Sequence, residues 1–506
     1  MQNDRLSRAS NSNTSVDREA TFSKRGARRG VSIASIAAAA LAGSLVTGAV
    51  LTASFARSAI SADTYRQLDL FGEVFEQVHA NYVESPEDAE LIEGAINGMM
   101  SELDPHSSYL SADDYTRMQE QTRGSFAGLG IQVVMDNEGD DAGYVKIVAP
   151  IDGTPASRAG IETNDLIVEI DGSDVQPLTL DQSIALLKGE KGTPVTIKVL
   201  RDREAEPFEL TLVRDIVRVE AVTSRMEDDF GYVQIRTFSE RAGSELKDAI
   251  REFEKETATG PKGYILDLRS NPGGLLDQAV AVADVFLEGG EIVSTRGRHA
   301  RDTMREMGRR GDLTNGKPVI VLINGGSASA SEIVAGALQD RNRGLLLGTK
   351  SFGKGSVQTV IPLRNGLQGA LRLTTARYYT PSGRSIQAQG IVPDVQMPVI
   401  YPGQEKPWTR RSEADLENAL DVPKGDKSED ETPEAQDEAP QADASEETAE
   451  DADKPILVDG VEAVKCGYEE DGETFRDCQL ERALEILSDV TAYRALLADA
   501  GAPKTQ

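Results

Sequence analysis

Two short segments carry residue types able to do chemistry: Asn324-Gly-Gly-Ser-Ala-Ser-Ala-Ser-Glu-Ile333 and Ser351-Phe-Gly-Lys-Gly-Ser-Val-Gln358. The first offers hydroxyls and the second an amine, and no histidine lies near either. A serine hydroxyl is a weak nucleophile until a base takes its proton. A lysine is such a base only where burial makes its charged form unfavourable near neutral pH. The pair therefore points to hydrolysis by serine and lysine.

The serines follow an apolar run, Val319-Ile-Val-Leu-Ile323, and open a helix, where a hydroxyl is exposed and the helix N-terminus favours developing negative charge. The same residues also read as a capping box, Ser329-Ala-Ser-Glu332, whose hydroxyl merely satisfies orphan amides. Lys354 lies between Gly353 and Gly355, which let the backbone bring its amine into a crowded site, whereas Lys350 reads as a surface lysine. Gln358, four residues on in an extended chain, shares the face of Lys354, where its amide can orient the amine. Gly348-Thr-Lys-Ser-Phe-Gly-Lys354 imitates a phosphate-binding loop. Gly355, however, stands where a Mg²⁺-holding hydroxyl belongs, and a β-like run with Pro362 comes next instead of a helix. No nucleotide, metal or other cofactor is expected. Asp267-Leu-Arg-Ser-Asn-Pro-Gly-Gly-Leu275 follows a strand at 263–268 and is able to give half of an oxyanion hole, with the Ala330 N–H as the other half. Taken alone, it is a tight strand-to-helix turn.

The elements that must position these residues form an α/β pattern. Helical spacing runs from Asp63 to Met118 through Leu68, Phe71, Val74, Phe75 and Val78 and breaks at Asp104-Pro-His-Ser-Ser-Tyr109. Short β-type runs with helices at 155–159 and 180–187 fill 124–202. Beyond Phe230 strands and helices alternate, and apolar runs such as 319–323 suit strands buried on both faces.

The 506 residues accommodate two or three domains. Of the formal charge of −30, a net −10 falls on Lys424 to Lys454, with 13 acids against 3 lysines. The moderately acidic remainder lacks the basic stripe of a nucleic-acid binder. Residues 1–30 hold seven Lys or Arg against three acids, and Val31 to Ala56 is 26 residues without a charge. That is an export signal: either a signal peptide cut near Ser54-Phe-Ala56 or an uncleaved inner-membrane anchor, with the rest of the chain in the periplasm. Arg28-Arg29 followed by Gly-Val-Ser matches a twin-arginine signal poorly. In an exported chain the two cysteines, Cys466 and Cys478, are expected to form a disulfide stapling a small terminal module, the alternative being two unpaired thiols.

Three phrases in order, Phe126-Ala-Gly-Leu-Gly-Ile131, Ser157-Arg-Ala-Gly-Ile161 and Asp165-Leu-Ile-Val-Glu-Ile-Asp-Gly172, resemble a PDZ domain. The resemblance implies that the loop Gly128, Leu129, Gly130 and Ile131 presents N–H groups to a peptide's terminal carboxylate while the peptide adds a strand to the sheet. Together with Leu103-Asp-Pro-His-Ser-Ser-Tyr109, Leu268-Arg-Ser-Asn-Pro-Gly-Gly274, Ser327-Ala-Ser-Ala-Ser-Glu332, Ser351-Phe-Gly-Lys-Gly355 and Tyr379-Thr-Pro-Ser-Gly383, the chain from Leu68 to Val395 resembles the C-terminal processing (tail-specific) serine peptidases. The resemblance implies a ClpP/crotonase-like α/β core with an inserted PDZ domain. It assigns Ser329 as nucleophile, Lys354 as general base, Gln358 as its assistant, and the backbone of Gly273 (or Gly274) and Ala330 as oxyanion donors. Substrates would be proteins with free C-termini. An adaptor or activator and a homo-oligomer stay open as partners, and a noncatalytic PDZ scaffold of the cell envelope is the rival reading. The expected layout is an export signal or anchor (1–62), a helical segment (63–123), the PDZ domain (124–205), the peptidase core (206–400), an acidic disordered linker (401–456) and a C-terminal helical module (457–506).

Overall fold

The computed structural model describes residues 61–136, 142–201, 206–256, 259–404, 406–407, 411–423, 457–458, 460–468 and 475–501. The export segment, but for its last two residues, and the acidic stretch 424–456 lie outside the described residues. The chain divides into two units, 1–88 and 89–506. In the first, α1 (Ala62–Asn81) is capped by Ser61, whose hydroxyl accepts the Thr64 N–H at 3.1 Å. None of its residues is buried, and Leu68, Phe71, Val74 and Val78 are exposed at helical spacing. Among the described residues no helix is long and apolar enough to cross a membrane.

The second unit begins within α2 (Asp88–Ser101), continues with β1 (Ser108–Leu110) and α3 (Ala112–Arg123), and then enters a small domain by β2 (Ser125–Gly128). That domain holds β3 (Ile131–Met135), β4 (Val145–Pro150), α4 (Pro155–Arg158), β5 (Leu166–Ile170), β6 (Ser173–Asp174), α5 (Leu180–Leu187), β7 (Pro194–Leu200) and β8 (Phe208–Val213). Its sheet runs β3-β4-β5-β7-β8, so β3 is an edge strand. The chain leaves by β9 (Asp215–Arg218), which pairs antiparallel with β2 and so zips entry to exit. Lys188 braces the junction, with its ammonium 2.6 Å from Glu120 and over the Phe126 ring. The last strand, β8, extends this sheet past the boundary expected at 205. The charged run Arg201-Asp-Arg-Glu204 resembles the end of a domain, yet beyond it Phe208, Leu210 and Leu212 alternate with exposed residues and pack on the small domain's core.

The core continues with β10 (Val222–Glu227), β11 (Phe230–Ile235), α6 (Ala242–Glu256), β12 (Tyr264–Asp267), α7 (Leu276–Ala283), β13 (Gly290–Gly297), β14 (Met304–Gly308), β15 (Val319–Ile323), α8 (Ala330–Asp340) and β16 (Leu345–Gly348). It closes with β17 (Ser356–Pro362), β18 (Ala370–Tyr379), β19 (Val395–Gln396) and β20 (Val399–Ile400). Last come β21 (Leu457–Val458), β22 (Val461–Glu462), β23 (Val464–Lys465), α9 (Cys478–Ser488) and α10 (Val490–Ala500). The central sheet runs β10-β11-β12-β15-β16-β19 and is parallel apart from β10. A second, antiparallel sheet runs β1-β18-β13-β14, with β17 also on β18.

Strand β15 explains why the C-terminal helices are a layer of the core rather than a separate module. Successive side chains of a strand point to opposite faces. Val319, Val321 and Ile323 pack with α6, α7 and α8, while Ile320 and Leu322 pack with Leu480, Ala483, Ile486 and Leu487 of α9. The five-residue apolar run is therefore buried on both sides, and every residue in it is at 0% exposure. The linker boundary also shifts: Ser412 to Leu416 is ordered against the core, with Glu413 fully buried.

Candidate active site

Ser329 is the residue before α8 and has φ 53° and ψ −110°. A non-glycine residue in such a region costs about 1–3 kcal/mol and persists only where its surroundings impose it. The capping-box alternative is in place, though unevenly. The Ser329 N–H donates to Glu332 Oε2 at 2.7 Å, while the Ser329 hydroxyl faces the Glu332 N–H without a hydrogen bond of ordinary geometry. The glutamate serves the backbone firmly, and the hydroxyl is only loosely engaged by its own helix.

Glu332 does more than cap. It is wholly buried, and Oε1 accepts the Ser351 hydroxyl (2.6 Å) and the Gly353 N–H (2.6 Å), while Oε2 accepts the N–H groups of Ser329 and Lys354 (2.9 Å). One carboxylate thus ties the serine segment to the lysine segment. Burial pushes its pKa up to about 7 against the pull of those four donors. Its sequence signal, a glutamate three residues after a serine, was legible only as a helix cap.

Ser329, Lys354 and Gln358 line one cleft of about 620 Å³, together with Gly274, Val357 and Tyr378. Burial holds the Lys354 amine below the usual lysine pKa, and the neighbouring Arg372 charge acts in the same direction, against the carboxylates of Glu413, Glu332 and Asp104. Gln358 sits at a bulge in β17. Its Nε2 donates to Ser356 Oγ (3.0 Å) and Thr374 Oγ1 (3.1 Å), which uses both amide hydrogens and leaves the oxygen as the group it can offer an amine. Thr374 Oγ1 in turn donates to Asp104 (3.0 Å), so the Asp104-Pro-His turn fixes the amide's orientation.

The lysine loop is covered from outside the expected core. Gly355 N–H donates to Gln387 Oε1 (3.0 Å), Gln387 Nε2 donates to Glu413 Oε1 (3.0 Å), and Glu413 meets His106 Nε2 at 2.8 Å. Glu413 N–H also donates to the Phe352 carbonyl (2.9 Å).

The turn at 269–274 packs directly on the serine. A Cβ on Gly273 would lie 2.8 Å from the Ala328 oxygen and 3.0 Å from Ala330 N and Ser329 Cβ, and its φ is 105°, so only glycine fits. The expected role of the Gly273 N–H is not met, because that N–H donates to Asn271 Oδ1 at 2.8 Å. The next residue, Gly274, is placed differently. Phe238 bonds to the Gly273 carbonyl and the Leu275 N–H, which turns Gly274's own N–H away from Phe238, and Gly274 lines the cleft. Ala330 is the first residue of α8, where N–H groups lack helical partners.

In the small domain, Gly128 ends β2, Leu129 is buried in its core and Ile131 opens the edge strand β3. Gly130 has φ 78°, and a Cβ there would come within 2.3 Å of Thr154. The Leu129 and Gly130 carbonyls are held by Ala156 N–H (3.0 Å) and Ile151 N–H (2.8 Å), which shapes the loop beside the open edge.

The model of peptidase family S41 matches residues 229–397, that of the PDZ domain 127–212, and that of the activating protease CtpB N-terminal domain 47–114. The carboxy-terminal-processing protease of Bartonella bacilliformis is 52% identical over 345 residues, covering 68% of this chain and 78% of the relative. The carboxy-terminal processing protease CtpA of Bacillus subtilis is 37% identical over 343 residues, covering 67% and 70%. A solved photosystem II D1 C-terminal processing protease is 30% identical, covers 63% of this chain and 85% of its own, and has a TM-score of 0.38. The resemblance drawn from the ordered motifs is borne out at the level of family and fold. With half of the aligned residues shared across most of a relative's length, the chain belongs to the carboxy-terminal-processing proteases, serine peptidases of family S41 with a PDZ domain.

Proposed function

We propose that this chain is an exported serine endopeptidase that captures the free C-terminus of a protein substrate in its PDZ domain and cleaves the extended chain at Ser329. The observation that carries the reading is the half-buried Lys354 amine, its pKa lowered by desolvation, in the same cleft as a hydroxyl only loosely engaged by its own helix. Neutral Lys354 accepts the Ser329 proton as the oxygen attacks the peptide carbonyl, and the Gln358 oxygen accepts an amine N–H so that the nitrogen lone pair faces the serine. The N–H groups of Ala330 and Gly274 stabilise the oxyanion. Lys354 then hands the proton to the leaving amine, and water resolves the acyl-enzyme. A peptide pairing with β3 would place its terminal carboxylate at the N–H groups of residues 128–131. The charge-free run 31–56 behind a basic flank supports export to the periplasm, by a cleaved signal or as an inner-membrane anchor.

Incubation with an unfolded model protein should give discrete fragments by mass spectrometry, and a fluorophosphonate should block cleavage while labelling the peptide that contains Ser329. Label on another serine, or cleavage that survives full labelling, overturns the assignment. Converting the substrate's terminal carboxylate to an amide should slow processing about tenfold or more through weaker capture, since charge-assisted bonds to the carboxylate are lost. An unchanged KM for the amide speaks against capture by the PDZ loop.

A further inference from the structure

Arg269 begins the turn that carries Gly273 and Gly274, and its guanidinium is spanned by two parts of the chain. Nε and Nη2 donate to Asp267 (3.0 and 2.6 Å), Nη2 and Nη1 donate to Asp477 (2.6 and 2.9 Å), and Nη1 donates to Gln479 (3.1 Å). All five donors of the planar fork are engaged. Three of these contacts come from the start of α9, more than two hundred residues away in sequence. Asp477 is itself fixed, since it caps α9 by accepting the Leu480 N–H at 3.1 Å. Its neighbour Cys478 is bonded to Cys466, with Cα atoms 6.0 Å apart. Cys466 N–H donates to the Ile400 carbonyl at 3.0 Å, continuing the pairing of β23 with β20. A covalent link therefore runs from the β20–β23 pair to the carboxylate that holds Arg269.

The turn needs such a hold. Ser270, next to Arg269, has φ 55°, a strained value for a non-glycine residue. Its N–H is held by Asn324 Oδ1 at 2.8 Å. Arg269 and Asn324 thus both grip the start of the turn, and the turn packs on Ser329 through Gly273.

We propose that Asp477, anchored by the Cys466–Cys478 disulfide, is a positioning residue for the peptidase: through Arg269 it holds the 269–274 turn, and with it the Gly274 amide, in register with Ser329. The inference rests on the serine-peptidase reading, and its reach is the oxyanion donor rather than the nucleophile. Opening the disulfide frees the start of α9 and lets the carboxylate leave the guanidinium. Dithiothreitol supplies the two electrons and two protons that split the S–S bond into two thiols, and departs as its cyclic disulfide.

The test compares the full-length wild type, oxidised and after dithiothreitol, with Asp477→Asn and Asp477→Glu, reading kcat, KM and the thermal midpoint. The expected result is a fall in kcat of about tenfold in Asp477→Asn with KM unchanged, because a misplaced oxyanion donor affects the transition state rather than substrate capture. Asp477→Glu should recover part of the loss. Reduction should bring the wild type down to the Asp477→Asn level and leave that variant where it is. An unchanged kcat in Asp477→Asn overturns the proposal, as does a loss that Glu does not relieve and that tracks the thermal midpoint, or a further loss when Asp477→Asn is reduced. If Asp477→Asn does not fold, the reduced wild type decides, and full kcat after reduction overturns it. Failure of the peptidase reading has a different signature, namely activity that persists in Ser329→Ala.

Discussion

Lys354→Ala and Ser329→Ala should each lower kcat by on the order of 10⁴-fold or more while leaving the fold and peptide capture intact, as expected for members of one catalytic unit. The cleft is lined by no second amine; its remaining bases are the carboxylates of Asp277 and Glu306, and carboxylates as a class are weaker bases than a neutral amine. None of its lining residues is a histidine, and burial holds the Tyr378 phenol protonated, with its pKa pushed up to about 12. Combining the two substitutions should cost little more than either alone. Kinetic assay with a quenched peptide and circular dichroism check the claim, and full activity in either variant refutes it. The pH profile supplies an independent check. Protonated Lys354 cannot act as base, so kcat/KM must rise with pH as the amine loses its proton. Because burial lowers its pKa, that rise must lie below the ordinary lysine value of 10.5. A profile that falls as pH rises across this limb would contradict a lysine base.

Glu332→Gln is the second large effect. Four donors converge on the two oxygens of Glu332, a pair on each. A glutamine keeps one oxygen and turns an NH₂ toward the other pair, so two buried donors lose their acceptor at about 1–3 kcal/mol each. Relief from burying a charge offsets part of that, and the variant should fold. Its loss is the shared anchor that sets Ser329 against Lys354, and a displacement on the order of 1 Å there is worth about 100-fold in kcat. Glutamine is also the isostere of the protonated acid. The wild type should lose activity as pH falls through about 7, where Glu332 takes up its proton, and the variant should lack that component. The sign for stability is opposite: with the folded pKa raised above the ordinary 4.5, the contribution from the bound proton is full below 4.5 and gone as pH climbs past about 7. Wild-type kcat in Glu332→Gln would refute the role.

How much of this was readable from the residues depended on whether a local pattern carried it. The strand 319–323, the helix after Ser329 and the glycines around Lys354 are local signals, and the structure places them close to where periodicity and turn chemistry put them. The hairpin β13–β14 escaped because Met304-Arg-Glu-Met-Gly308 is largely exposed and has no apolar alternation to reveal it. Glu332 looked like a cap because its other three partners arrive from residues 351–354, a contact no spacing rule encodes. The Gly273 donor failed for a similar reason, since the acceptor that claims its N–H is a side chain two residues away whose rotamer is set by the fold. Asp477 sits beyond an acidic stretch that composition marks as solvated, and nothing along the chain announces that α9 returns to pack on the central sheet.

Cloning boundaries drawn from sequence similarity alone would end near residue 397. Such a fragment discards Glu413, and with it the acceptor shared by His106 and Gln387. The amide that steadies Gly355 would then lose its own support, next to the base, and the shortened protein would be judged inactive for a reason unrelated to its chemistry. A crystallisation or screening fragment should run through α10, so that it keeps Leu420, whose carbonyl takes the Gln387 amide at 3.2 Å, and the α9 layer over the central sheet.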